Sequence, residues 1–534
     1  MVFDKKLFSK KSLPLSLSGR YSIYPYSVLE RCGVPHPRPT PFFGNLMLFR
    51  QGFLEPLKDL INTYGRVCGY YLGRRPVIVI ADPDMLRQVM VKDFSLFPNR
   101  MVMRFSSKPM SDCLLMLTDE QWKRVRSILT PSFSAAKMKE MVPLINTATQ
   151  TLLTSLEGYA ESGQSFDIHK SLGCFTMDVI ASVAFGLQLD SQNDPDDPFV
   201  HHAQKFFSFS FFRPIVFVFI MFPFLVPLLR LLPSKNRDEM NIFFISCIKK
   251  MIQQRDELPP DQRRRDFLQL MLDARSTKES VSLEQFDIVN QADEVCPASH
   301  THSAGHAVNG AAQEDGEESP RRPHTHTPTQ SQAQKRVMTE DEIVGQAFIF
   351  LLAGYETSSN TLAFTCYLLA THPDCQERLQ REVDDFFSRH DSPDYNNVQE
   401  LKYMDLVAAF STTTHIHTLS LSLSLSASVM SLNNACVTSP YTIQSHFRFT
   451  AEAKASRHPF VYLPFGAGPR SCVGMRLAQL EMKMALALIL QRFTVEACSE
   501  TKVPLELKSN STLGPKNGIL VKITIRESSH SSQD

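Results

Sequence analysis

The segment TEDEIVGQAFIFLLAGYETSSNTLAFTCYLLATHP, residues 339–373, constrains the fold more than any other stretch of the chain. Thr339 and Glu342 have capping-box spacing, three acidic residues follow the cap, and Pro373 waits at the far end. Between these punctuation marks the chain is apolar nearly all round. A helix over about 340–370 would be roughly 45 Å long. With no polar face it must be buried on every side. Glu356 interrupts the apolar run and argues against a membrane span. Such a helix needs a large α domain around it, and 534 residues, 43% of them hydrophobic, suffice to build one.

The rest of the chain fits that picture with two exceptions. VCGYYLGRRPVIVIADP, residues 67–83, reads as two strands around a Gly-Arg-Arg-Pro turn. Helical periodicity dominates from about 84 to 290 and returns in VGMRLAQLEMKMALALILQRF; LGPKNGILVKITI carries an Asn-Gly turn and an alternating strand. The fold class is therefore mainly α with a small β subdomain. Residues 291–337 break the pattern, being rich in Gly, Ser, Pro and His without period. They read as a low-complexity surface insert, and histidines such as His300, His302 and His306 there cannot fix a metal's ligand geometry. Residues 410–447 open with strict Leu/Ser alternation. A half-buried strand is one reading; translated simple-sequence DNA, in which CT repeats give Leu-Ser and CA repeats give His-Thr, is the favoured one.

Composition removes several function classes. A net charge of +1 leaves no broad basic surface for nucleic acid. Eleven cysteines without CxxC pairs suit free thiols in a reducing compartment. Residues 1–30 contain no run approaching the ~20 apolar residues of a spanning helix. The apolar stretch 213–233, broken by Pro223, Pro227 and Arg230, reads either as a patch dipping into one leaflet or as two short core helices.

Chemistry concentrates in PFGAGPRSCVG, residues 464–474, which surrounds Cys472 with three glycines and two prolines. The thiol sits at the mouth of a helix expected to start near Val473. Helix dipole, loop N–H groups and Arg470 should favour its thiolate. A nucleophile would need a base, and no histidine lies within ten residues. A metal ligand facing a flat macrocycle accounts better for the glycines. Trp122 and Arg126, on one helical face, are suitable carboxylate donors. In the central helix Gly354 permits close approach, Thr357 can bend the ladder and hold a water or dioxygen, and Glu356 could relay protons.

Together these motifs resemble the cytochrome P450 family: FGAGPRSCVG with Phe465, Gly468, Arg470, Cys472 and Gly474 as its cysteine loop, AGYET in the central helix and W-KRV-R in the propionate helix. The resemblance covers roughly 30–290, 338–409 and 449–526. It implies a single haem domain over 31–534, haem b with axial thiolate from Cys472, haem-seating roles for Asn99, Trp122, Arg126 and Arg470, and catalytic roles for Glu356 and Thr357. FRQGF, CGYYLGRR, PNRM and LGPKNG are similar to the branch that rearranges prostaglandin H2, a lipid endoperoxide, to thromboxane A2 without dioxygen or a reductase. A monooxygenase served by NADPH-P450 reductase, or an inactive fragmentary P450, are the alternatives. The family's setting is the endoplasmic reticulum membrane, cytoplasmic face. One departure is serious. Where the family's ExxR pair should follow LKYMDLVAA, Phe410 and Thr413 stand instead, and the adjacent strands that should pair with 68–80 are missing. The P450 fold is thus expected to lack its ExxR helix, leave an open sheet edge and incorporate haem poorly.

Overall fold

The computed structural model describes residues 24–101, 107–194, 196–208, 218, 220–226, 235–275, 280–281, 334–335, 337–415, 451–509 and 512–527. The readings made for most of 1–30, of 213–233, of 291–337 and of 410–447 lie outside them. The helices that carry the architecture are α1 (Leu54–Tyr64), α2 (Asp119–Leu129), α3 (Ala135–Ser162), α4 (Ile168–Phe185), α5 (Pro198–Phe207), α6 (Lys235–Glu257), α7 (Phe267–Asp273), α8 (Glu340–Thr371), α9 (Pro373–Arg389), α10 (Lys402–His415) and α11 (Met475–Arg492). Apart from a two-residue antiparallel pair, Ser280–Val281 with Gln334–Lys335, the strands are β1 (Val67–Leu72), β2 (Arg75–Ile80), β3 (Phe166–Asp167), β4 (Phe493–Glu496), β5 (Leu507–Ser509), β6 (Leu513–Pro515) and β7 (Leu520–Ile525).

The central helix α8 begins where its cap predicts. Glu342 N donates to Thr339 Oγ1 at 3.2 Å, and Thr339 N donates to Glu342 Oε2 at 2.9 Å. Each acid of the first turn is also tied to a different part of the molecule. Glu340 meets Lys249 of α6, Asp341 meets Lys108, and Glu342 pairs with Arg124 of α2. Beyond that turn α8 is buried along most of its length. Helix α4 crosses it so closely that a Cβ on Gly354 would stand 2.7 Å from Ile180 Cγ1, and Thr176 Oγ1 donates to Tyr355 O at 2.9 Å. Gly354 is therefore a crossing notch.

The small β part is made of separate pieces. β1 and β2 pair antiparallel from Val67↔Ile80 to Leu72↔Arg75, so the turn is Gly73-Arg74 and Pro76 lies within the edge strand opposite Tyr71. β7 is central to a three-stranded sheet, flanked by β3 and β4. β5 and β6 form a hairpin. Gln376 of α9 grips the β4 backbone from the side. Its Nε2 donates to Val495 O at 2.9 Å and its Oε1 accepts from Val495 N at 2.8 Å.

A helix is present where the sequence suggested a missing one. α10 continues from Lys402 through positions 410 and 413. Its first turn is capped by Glu382, which accepts from Tyr403 N and Met404 N at 2.6 and 2.9 Å, and Asp405 pairs with the buried Lys483 of α11 at 2.5 Å. Helix and anchors therefore form, while the residues at 410 and 413 are Phe and Thr. Among the described residues β1 and β2 have no further strand beside them; Gly44 alone makes an isolated bridge to Leu72. The nine described cysteines are all free. No helix among the described residues is long and apolar enough to cross a membrane.

Candidate functional site

The cysteine loop is shaped by backbone geometry that only glycine supplies cheaply. Gly466 and Gly468 have φ of +74° and +67°. A Cβ on Gly468 would also lie 2.1 Å from Met90 O, so the loop is pressed onto the turn at Gln88–Lys92. Within the loop Cys472 N donates to Phe465 O at 2.8 Å and Ser471 N to Gly468 O at 2.9 Å. Phe465 thus contributes its carbonyl as the pin that turns Cys472. Gly474 caps α11, which starts at Met475 rather than near Val473.

Cys472 is solvent-accessible, yet burial pushes its thiol pKa up, against the opposing pull of the Gly474 N–H and of Arg126 and Arg100. A group on the wall of a recess combines these properties, being reachable by a small molecule but surrounded by protein of low dielectric. Of the groups expected to favour the thiolate, the Gly474 N–H at the helix start does so, while the cations that act on the sulfur are Arg126 and Arg100 and not Arg470.

Arg470 is turned the other way. Its Nε donates to Pro98 O at 2.9 Å and its Nη2 to Leu117 O at 3.0 Å, while its Cζ lies 4.1 Å from the centre of the Trp122 ring. Trp122 is buried and also packs on Phe94. Asn99 holds Asp119, the first residue of α2, with both ends of its amide and also meets Arg470: Asp119 N donates to its Oδ1 at 2.8 Å, its Nδ2 donates to Asp119 Oδ1 at 2.6 Å, and Arg470 Nη2 donates to its Oδ1 at 3.5 Å. The neighbouring Arg100, which the sequence reading missed, is the one that reaches inward. Its guanidinium lies near Cys472 and Cys113 and donates to Arg470 O at 3.5 Å. The only sequence signal for it was its place in PNRM.

Two guanidiniums, those of Arg100 and Arg126, therefore converge on one thiol, and the Arg470 guanidinium lies close enough to both to feel their charge. Burial lowers the pKa of Arg100, pulls Arg126 down to about 10 and Arg470 down to about 9. Arg126 Nε is buried without a hydrogen-bond partner. Among the described residues no carboxylate pairs with any of the three. Desolvated cations left unpaired are costly. A planar group bearing two carboxylates, with a metal that takes a thiolate, fits this donor set.

The facing wall comes from α8. Along this otherwise buried helix Ile349, Phe350, Ala353, Gly354 and Thr357 form one accessible stripe at helical spacing. Phe350 stacks on Phe133 at 5.8 Å, and Phe133 lies 3.8 Å from where a Cβ on Gly474 would be, which links the stripe to the cysteine loop. Thr357 Oγ1 donates to Ala353 O at 2.8 Å. Glu356 faces elsewhere: it is 3% exposed and accepts from Thr512 Oγ1 at 3.0 Å beside the β5–β6 hairpin. The structure does not bring Glu356 and Thr357 to one face.

The family model for cytochrome P450 matches residues 34–305, 314–408 and 429–523. The chain belongs to the cytochrome P450 family. The match is interrupted at 306–313, inside the polar insert, and at 409–428, over the Leu-Ser tract. Among individual relatives, the thromboxane-A synthase of Sus scrofa is 45% identical over 535 residues, covering 96% of each chain, and that of Mus musculus is 45% identical over 532 with the same coverage. Cytochrome P450 3A12 of Canis lupus familiaris is 32% identical over 552 residues, covering 99% of this chain and 98% of its own. As a P450, the chain takes haem as its cofactor, with the iron ligated by the Cys472 thiolate.

Proposed function

We propose that this P450 isomerises a prostaglandin endoperoxide, converting prostaglandin H2 to thromboxane A2. The observation that carries the reading is the placement of Glu356. Its carboxylate is committed to Thr512, and the Thr357 proton is committed to Ala353 O. Among the described residues no acid–alcohol pair of α8 shares the accessible stripe, and an isomerisation, which needs no delivery of protons to dioxygen, requires none. The 45% identity with two thromboxane-A synthases, against 32% with a 3A enzyme, supports the same choice.

Each residue then has a task. Arg100 and Arg126 receive the haem carboxylates, Arg470 and Trp122 hold the cysteine loop against Pro98, Leu114 and Leu117, and Asn99 fixes the start of α2. What the haem supplies when bound is an iron whose thiolate ligand favours O–O cleavage. The stripe from Ile349 to Thr357 offers the lipid an apolar wall that excludes water. We place the protein on the cytoplasmic face of the endoplasmic reticulum membrane; the exposed Phe224, edge-on to a Phe222 ring that is tilted against Phe42, supports attachment through the 213–233 region.

The test has two stages. The carbon-monoxide difference spectrum of the reduced protein should show a red-shifted thiolate band that Cys472→Ser abolishes. Purified protein should then rearrange prostaglandin H2 without NADPH or reductase. Strict dependence on electrons would assign it to the monooxygenases, and absence of haem would make the residues at 410 and 413 decisive.

A further inference from the structure

We propose that Gln346 is a positioning residue for the substrate side of this site, acting through the segment Asp112–Leu117; the inference rests on the haem-thiolate reading above. Gln346 lies in α8 and is 0% exposed. Its Oε1 accepts from Leu114 N at 2.6 Å, and its Nε2 donates to Asp112 O at 2.7 Å and to Glu342 O at 2.9 Å. The amide satisfies the segment's backbone as a neighbouring strand would. Gly345 lets the segment come this near, since a Cβ there would stand 2.8 Å from Asp112 C.

The opposite side of the same segment is held by the cysteine loop. Arg470 Nη1 donates to Leu114 O at 3.4 Å and Nη2 to Leu117 O at 3.0 Å. Leu114 thus gives its N–H to the central helix and its C=O to the residue two places before Cys472. The segment is a strap between the two walls, fastened on α8 one turn before the accessible stripe begins at Ile349. Releasing the Gln346 end lets the strap shift against both the lipid wall and the thiolate loop.

The fold supplies a matched control. Gln376 makes the same two-point grip on Val495, in the β4 sheet and not in the cysteine loop. The experiment compares Gln346→Ala, Gln346→Glu and Gln376→Ala as full-length, haem-loaded protein. Gln346→Glu keeps the acceptor for Leu114 N and loses both donations. Both alanine variants lower Tm. Only Gln346→Ala raises the KM for prostaglandin H2 and the Kd for imidazole, read from the Soret shift, by about tenfold. Its kcat stays within about threefold of wild type, and Gln346→Glu falls between. Should Gln346→Ala fail to retain haem, the same comparison is made between Gln346→Glu and Gln376→Glu. Equal effects from the two glutamines, or wild-type KM and Kd without the Gln346 amide, overturn the proposal. Imidazole titration requires no turnover, so a protein that binds it strap-dependently yet leaves prostaglandin H2 unchanged would refute the proposed activity alone.

Discussion

Glu481 is a carboxyl buried on the helix that follows the cysteine loop. It lies on α11, nine positions after Cys472, 4% exposed; Ser358 Oγ donates to its Oε2 at 3.1 Å, and Oε1 has no hydrogen-bond partner. Burial pushes its pKa up to about 8 from an ordinary 4.5. The folded chain therefore holds a proton that the unfolded chain has released. Stability present below about pH 4.5 declines as pH climbs toward about 8, by up to a few kcal/mol. Melting curves across that window should fall more steeply for wild type than for Glu481→Gln, which stays neutral; parallel slopes would refute the assignment. Glycines in the cysteine loop give a second contrast. Gly468→Ala drives a methyl into Met90 O and should abolish the thiolate-type carbon-monoxide band. Gly466→Ala, with its nearest neighbour 3.8 Å away, meets only the positive φ, a cost of about 1 kcal/mol, and should keep the band. None of this was legible beforehand: FGAGPRSCVG shows that glycines are needed, but Met90 is almost four hundred residues away in sequence.

At the scale of elements, α8 shows which features the sequence announces. Its cap, its acids and Pro373 predicted a helix over 340–370, and it runs Glu340–Thr371 because those are local interactions. Its polar interior residues were opaque for the opposite reason. Glu356 and Thr357 are adjacent in sequence, so they read as one catalytic unit, whereas helical geometry turns them about 100° apart. The partner that decides Glu356's role, Thr512, lies 156 positions away. At Gly354 the close approach expected from sequence is that of Ile180 on α4. Here the crossing of α8 and α4 can be tested by repair. Gly354→Ala gains about 1 kcal/mol of helix propensity but loses more to the clash with Ile180. Paired with Ile180→Ala, which removes the clashing Cγ1 and Cδ1, it should cost less Tm than the two single changes summed; simple additivity would show that they do not touch.

Across the whole molecule, the site is assembled from parts that sequence proximity conceals. Arg470 is fastened to Pro98 and Leu117, and Arg100, Arg126 and Cys472 meet from three regions of the chain. The motifs around Trp122 and Cys472 were recognisable because each is short and self-contained; Arg100 was not, because what distinguishes it is depth. Arg100→Ala should therefore accelerate haem loss to a scavenging apoprotein by about tenfold or more, with Arg100→Lys intermediate because a point charge replaces a fork. An unchanged rate would place Arg100 outside the cofactor's reach. The convergence of the desolvated Arg100 and Arg126 guanidiniums also bears on how the protein is made. A nascent chain that closes this region early traps two like charges without a carboxylate beside them, so the porphyrin acts as a counterion during maturation and not merely as a later passenger. Porphyrin supply would then govern how much chain survives, and feeding cells a porphyrin precursor should raise recovered polypeptide along with pigment.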